Sequence, residues 1–177
     1  MKKWILYPQE VIKKRVFEVS KKIEAAHKNQ QNNLVMICVL YGAVFFFTDL
    51  VRNINIPMTL DFIRASSYGP RLNSSGTVEI TKNIETDIQG KSIILVEDIV
   101  DSGLTITHLI GELEKENPES IQVCALINKT ERREIPIQID YSGFKLTEGF
   151  VIGYGLDYDQ QCRNYPDIYV LKDEENE

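Results

Sequence analysis

The sequence predicts an α/β fold with a mostly parallel central sheet flanked by helices. Apolar runs over 34–40, 92–96 and 121–127, rich in Val and Ile and broken only by Ser92 and Gln122, have the composition of strands buried on both faces. Between them lie segments whose apolar residues recur every three or four positions, the helical period. Strands that alternate with helices favour parallel pairing, because a crossover helix returns the chain to the starting edge of the sheet. After Lys129 the pattern changes to short strands and turns, as in a small subdomain over a sheet edge.

The elements follow in order. Ile12, Val16, Val19, Ile23 and Ala26 form an apolar stripe among lysines and glutamates, so a helix is expected over about 8–28. The apolar run 34–40 is a buried strand, punctuated by Gly42, and 43–51 is a short buried helix. Met58, Leu60 and Phe62 alternate, which predicts a strand over 57–66. Residues 67–77, rich in Ser, Gly, Pro and Asn, read as a mobile loop, and 78–81 as a short returning strand. The run 92–96 is the next strand. Apolar residues at 106, 109, 110 and 113 predict a helix from Ser102 to Asn117, where Pro118 stops it. The run 121–127 is a strand, and 135–139, 150–154 and 168–171 are short ones. The acidic end, 172–177, is a solvated tail.

Size and composition bound the function. The 177 residues fit one domain. The formal net charge of −6 disfavours nucleic acid as the main partner. No apolar stretch approaches the roughly 18 residues of a membrane span, and Pro8, Gln9 and Glu10 cut short the apolar start, which excludes a signal peptide. Cys38, Cys124 and Cys162 are odd in number and widely spaced, so neither disulfides nor a zinc site is expected and the compartment is the cytoplasm. His27 and His108 fall on helices and, like Trp4, are read as bystanders.

The chemistry is concentrated in Ile93-Ile94-Leu95-Val96-Glu97-Asp98-Ile99-Val100-Asp101-Ser102-Gly103-Leu104-Thr105. Ligands of open α/β sheets bind at the carboxyl ends of strands, where Glu97, Asp98 and Asp101 fall. The turn from Asp101 to Thr105 adds backbone N–H groups at a helix start, a glycine for close approach and two hydroxyls, the ingredients of a phosphate cradle. Neighbouring acids repel one another, and a divalent cation or donating hydroxyls would relieve them. A sugar diphosphate with Mg2+ supplies both. A lone Asp here would be an N-cap; three acids before a Ser-Gly-x-Thr turn exceed that need.

This run resembles the phosphoribosyl pyrophosphate (PRPP) motif of type I phosphoribosyltransferases. Further pieces, in the expected order, narrow the resemblance to the hypoxanthine-guanine phosphoribosyltransferases: Leu40-Tyr41-Gly42, Asp61-Phe62-Ile63-Arg64 with Ser67-Tyr68-Gly69, Asn128-Lys129-Thr130, the run from Phe150 and Val151 to Asp157 and Tyr158, and Arg163. It covers about residues 34–170. It implies the type I phosphoribosyltransferase fold, with a hood over about 130–177, joined by N-terminal residues, and a mobile loop at about 66–77. It implies transfer of the phosphoribosyl group from PRPP to N9 of a 6-oxopurine, with Mg2+ as cofactor, the nucleotide and pyrophosphate as products, and a homodimer or homotetramer.

The resemblance also implies roles. Glu97 and Asp98 lie beside the ribose hydroxyls and, with Asp157, at Mg2+. Asp101, Ser102, Gly103, Leu104 and Thr105 hold the 5′-phosphate, and Asp101 is the general base at N7. Leu40, Tyr41 and Gly42 meet pyrophosphate through a loop that in the family often has a non-proline cis peptide, and Arg163 binds pyrophosphate. Ser67 and Tyr68 belong to the closing loop. Lys129 donates to the 6-oxo group, Phe150 stacks on the purine and Val151 offers backbone contacts to its edge. Tyr41 and Leu104 depart from members that carry Lys there. A xanthine-preferring enzyme and a regulator of this fold that senses PRPP or nucleotide remain as alternatives. Lys129 and the Phe150 segment disfavour adenine and pyrimidines.

Overall fold

The computed structural model describes residues 2–29, 33–67 and 78–172. Six strands form the main sheet in the spatial order β4 (Val78–Lys82), β3 (Thr59–Ser67), β2 (Leu34–Val39), β5 (Ser92–Val100), β6 (Ser120–Lys129) and β7 (Tyr141–Leu146). From β3 to β7 every neighbouring pair is parallel, and β4 turns back antiparallel to β3. A second sheet of three antiparallel strands runs β1 (Lys2–Tyr7), β9 (Ile168–Lys172), β8 (Phe150–Ile152).

The apolar runs follow from burial on both faces. Leu34, Met36 and Cys38 of β2 enter one core with Ile94 and Val96 of β5, covered by α1 (Gln9–His27) and α2 (Val44–Arg52). Val35, Ile37 and Val39 enter the opposite core with Ile93 and Leu95, covered by Ile106, Leu109 and Leu113 of α3 (Leu104–Glu114). Alternation along each strand thus feeds two layers.

Helix α1 buries Ile12, Val16, Val19 and Ile23, as expected, but its last buried position is His27 rather than Ala26. The His27 Nε2 lies 3.0 Å from Gln122 Oε1, so β6 satisfies the ring. Pro8 opens the helix, and the free N–H of Gln9 donates to Asp167 Oδ1 at 2.7 Å.

Several expectations are corrected. Leu60 and Phe62 do share a face of β3, but the exposed one; Asp61 and Ile63 are buried. Asp61 is tolerated there because the N–H groups of Phe62, Glu85 and Thr86 donate to its carboxylate at 2.6–2.8 Å. Strand β5 runs on to Val100, so Glu97 and Asp98 lie within it rather than after it. Helix α3 starts at Leu104, not Ser102, because Gly103 stands at φ +89° in the N-cap position. Residues 135–139 form no strand. The N–H groups of Glu134 and Ile135 instead donate to Ser102 O at 3.0 and 3.1 Å, while Ile137 and Ile139 pack on the α3-side core. The strand in this region is β7, and β1 is a further strand that periodicity did not announce. Strand β8 stops at Ile152 because Gly153, Tyr154 and Gly155 all adopt positive φ. The expected mobile-loop tip at Tyr68 and the tail over 173–177 lie outside the described residues.

Candidate active site

The carboxyl ends of β5 and β6, strand β8 and the turn after it border one cavity of about 320 Å3, lined by Asp98, Asp101, Lys129, Phe150, Val151 and Asp157 among others. A smaller cleft of about 110 Å3 adjoins it along Glu97 and the turn Asp101, Ser102, Gly103 and Thr105. This is the end of the sheet where parallel strands leave room for a ligand.

The carboxylate pair is closely held. The N–H of Asp98 donates to Glu97 Oε1 at 3.1 Å, and that of Ile99 to Asp98 Oδ1 at 2.7 Å. Burial pushes both acids above the ordinary carboxylate range, and the neighbouring Asp98 charge raises Glu97 further. The charge of Arg163 partly offsets the rise at Asp98. Burial, aided by the Glu97 and Asp98 charges, also lifts the Cys38 thiol to about 12, which keeps it an inert packing group.

Against this pair lies the loop after β2. The Leu40–Tyr41 peptide is cis. Gly42 is pressed on Asp98 so closely that a Cβ would overlap the carboxylate, and a Cβ on Gly155 would overlap Gly42 O. Two glycines therefore let three chain segments meet where any side chain would part them. Tyr41 is half exposed, with the Arg64 guanidinium 4.6 Å from its ring centroid.

The turn into α3 borders the smaller cleft. Gly103 at φ +89° turns the chain, and a Cβ there would sit 2.8 Å from Ile135 O. The Leu104 N–H donates to Ser102 Oγ at 3.3 Å, a weak contact that an incoming anion can replace. Asp101 lies outside the helix cap, which leaves its side chain uncommitted to α3.

Lys129, at the end of β6, is only 5% exposed. Its Nζ lies 3.4 Å from Asp101 Oδ2 and 3.1 Å from Glu131 Oε2. Asp101 Oδ1 is buried and, among the described residues, has no hydrogen-bond partner. A buried acceptor without a partner is unusual and costly. Phe150 meets Tyr158 edge to face at 5.7 Å and is 46% exposed, an uncovered aromatic ring at the same cavity. Asp157 and Arg163 pair at 2.9 Å, and Arg163 also donates to Gly155 O at 2.7 Å. Among the described residues no three His, Cys, Asp or Glu side chains gather into a metal cage.

Comparison with known proteins decides the family. The phosphoribosyl transferase domain model matches residues 9–159. A hypoxanthine-guanine phosphoribosyltransferase of Aquifex aeolicus is 37% identical over 169 residues, covering 96% of this chain and 94% of that protein. The hypoxanthine phosphoribosyltransferase of Buchnera aphidicola is 42% identical over 154 residues, 87% of each chain. A crystal structure of a hypoxanthine-guanine phosphoribosyltransferase from Bacillus anthracis superposes with a TM-score of 0.90 at 37% identity, covering 96% of this chain and 98% of that one. The chain belongs to the hypoxanthine-guanine phosphoribosyltransferase family. Its fold is the type I phosphoribosyltransferase fold.

For a hypoxanthine-guanine phosphoribosyltransferase family member, the site residues expected from sequence are gathered well. Glu97, Asp98, Asp101, Ser102, Gly103, Thr105, Lys129, Phe150, Val151 and Asp157 line the two adjoining spaces. Leu104 is the first residue of α3, and Gly42, which follows Leu40 and Tyr41, abuts Asp98. Arg163 reaches the site through Asp157. Ser67 ends β3, and Tyr68 lies outside the described residues. Sequence reasoning missed Glu131 and Arg133. Both sit in the charged stretch Glu131-Arg132-Arg133-Glu134, which looks like an ordinary solvated turn. The one available signal was its place directly after Lys129.

Proposed function

We propose that this protein transfers the phosphoribosyl group of PRPP to N9 of a 6-oxopurine, hypoxanthine or guanine. The products are IMP or GMP and pyrophosphate, a reaction of purine salvage. The supporting observation is the pairing, in one cavity, of a buried ammonium donor with a partly exposed carboxylate: Lys129 Nζ stands 3.4 Å from Asp101 Oδ2. A 6-oxopurine offers an oxo acceptor to the first and a ring N–H to the second. An amino group at position 6 would leave Lys129 without an acceptor, which favours oxo over amino purines.

In the transfer, the N9–C1′ bond forms as the bond from C1′ to the pyrophosphate oxygen breaks. The purine loses its N7 proton to Asp101, and the electron pair of the broken bond leaves with pyrophosphate. Phe150 presents an open ring face for stacking, and the main chain at Val151 lies along the base edge. Ser102, Gly103, Leu104 and Thr105 cradle the 5′-phosphate with N–H groups and hydroxyls at the start of α3. Loop 40–42 and Arg163 bind the leaving pyrophosphate.

Mg2+ fits this donor set. The ion takes one or two carboxylates and completes its shell with water and substrate oxygens. Glu97 and Asp98, held above the normal carboxylate range by burial, are the pair that a cation would relieve, with Asp157 nearby at the cavity. When bound with PRPP, Mg2+ would neutralise charge on the diphosphate.

One domain is proposed for 1–177; of the hood expected over about 130–177, Tyr141–Leu146 belongs to the main sheet as β7, so the hood is proposed on β8, β9 and their turns, and pairing of β1 with β9 supports the contribution of N-terminal residues. A homodimer or homotetramer is proposed, supported by the exposed large apolar side chains Tyr41, Phe45, Leu60 and Phe62. A cytoplasmic location is supported by three free cysteines.

Turnover with PRPP and Mg2+ against hypoxanthine, guanine, xanthine and adenine separately tests the reading. Product from the first two and not adenine is expected. Xanthine as best substrate would move the assignment to that base, and binding of PRPP without turnover of any base would favour a regulator. Asp101→Ala is expected to cut turnover by about 10²–10⁴-fold while PRPP still binds.

A further inference from the structure

We propose that Arg133 is a positioning residue for this reaction, whose guanidinium sets the separation between Asp101 and Lys129. The inference rests on the roles assigned above to those two residues. They stand on different strands, and the pairing of β5 with β6 ends at Val100 with Asn128. Asp101 and Lys129 are the next residues along, just past the last rung. Lys129 is held on its far side by pairing with Leu146 of β7, but no rung joins it to Asp101.

Arg133 supplies the tie. Its Nε donates to Asp101 O at 2.7 Å. Its Nη2 lies 2.9 Å from Val100 O, 2.8 Å from Asn128 Oδ1 and 2.7 Å from Lys129 O. One planar group thus bridges the backbone of the proton acceptor and of the oxo-group donor. Their side chains consequently meet at 3.4 Å across the cavity. Arg133 is itself anchored, because the next two residues donate to Ser102 O at 3.0 and 3.1 Å. Arg132 lines the substrate cavity and Arg133 does not, so Arg133 acts through Asp101 and Lys129 rather than on the purine.

A lysine keeps the charge but lacks the rigid fork that spans these acceptors. Release of the strand ends by about 1 Å costs on the order of 10²-fold in rate. Arg133→Lys is therefore expected to lower kcat by about that factor, raise KM for hypoxanthine and weaken the preference over adenine. KM for PRPP should change less, since the Glu134 and Ile135 N–H groups still hold Ser102 O in the turn over 102–105. Asn128→Ala removes one acceptor without touching the fork and is expected to show a smaller loss of the same kind.

The deciding experiment is a double-mutant cycle of Asp101→Ala with Arg133→Lys, with kcat and both KM values measured on protein shown to be folded by circular dichroism. If Arg133 positions Asp101, its kcat effect disappears in the Asp101→Ala background while its effect on hypoxanthine KM, exerted through Lys129, persists. Full multiplication of the two kcat losses overturns the proposal, as does a wild-type rate in Arg133→Lys. Normal turnover of Asp101→Ala alone removes the general-base reading instead. Arg133 is then judged through Lys129: a raised hypoxanthine KM with weakened base preference supports it, and unchanged values overturn it.

Discussion

Replacing Gly42 with alanine tests whether the close meeting of loop 40–42, the carboxylate pair and the turn at Gly155 is needed for turnover. The added Cβ would stand 2.5 Å from Asp98 Cγ. Carbon atoms rest at about 3.5–4.0 Å, so something must move by about 1 Å. Asp98 has little room to yield, because its carboxylate accepts the Ile99 N–H at 2.7 Å and sits against Glu97. The loop is hemmed in from the other side, where Gly155 packs on Gly42 O, and is pinned by the Leu40 N–H donating to Ile63 O at 2.8 Å. A displacement of about 1 Å at a reacting centre costs on the order of 10²-fold, and that loss is expected in kcat/KM for PRPP. Gly111, on α3 with nothing near its missing Cβ, provides the control: Gly111→Ala should keep full activity and gain about 0.8–1.0 kcal/mol of stability. Steady-state kinetics with PRPP varied, alongside thermal unfolding of both variants, would decide it. A Gly42→Ala enzyme within about threefold of wild type would refute the argument, since the loss reasoned from a 1 Å shift is far larger.

Lys129→Met removes a buried charge-assisted donor, worth about 1.5–3 kcal/mol, so KM for hypoxanthine should rise by about 10- to 150-fold and the discrimination against adenine should shrink. Kinetics with the two bases check this, and retained discrimination would exclude Lys129 as the selecting group. Glu97 and Asp98 titrate above their ordinary range in the folded chain, so folding favours their protonated forms. Their contribution is fully present below about pH 4, the unfolded carboxylate value, and is lost as pH rises through the raised folded values. The ligand-free protein should therefore lose stability across that rise more steeply than Glu97→Gln. Melting temperatures of both proteins against pH test this, and parallel curves would show that the buried pair is not the source.

Much of this protein was legible from local pattern. The runs that became β2, β5 and β6 are apolar on both faces because helices cover both sides of the sheet, and that burial is written into consecutive residues. The acidic strand end and the Ser-Gly-x-Thr turn are contiguous, so their chemistry and their place at a strand terminus could be seen together. Tertiary structure alone decided the rest, wherever the cause lies far along the chain. Strands β1 and β7 are short: β1 pairs with β9 at the other end of the chain, and β7 lies beside the preceding strand β6 after an irregular return. The apolar residues over 135–139 imitate a strand but serve to cover a core, a choice made when the N–H groups of Glu134 and Ile135 are taken by Ser102 O. Arg133 looks like a solvated charge until the ends of β5 and β6 bring four acceptors around it. The sequence by itself determined which groups could do the chemistry; the distances between them, from Lys129 to Asp101 and from Gly42 to Asp98, arise only when separate strands end at one edge, because spacing in space is set by packing and not by order in the chain.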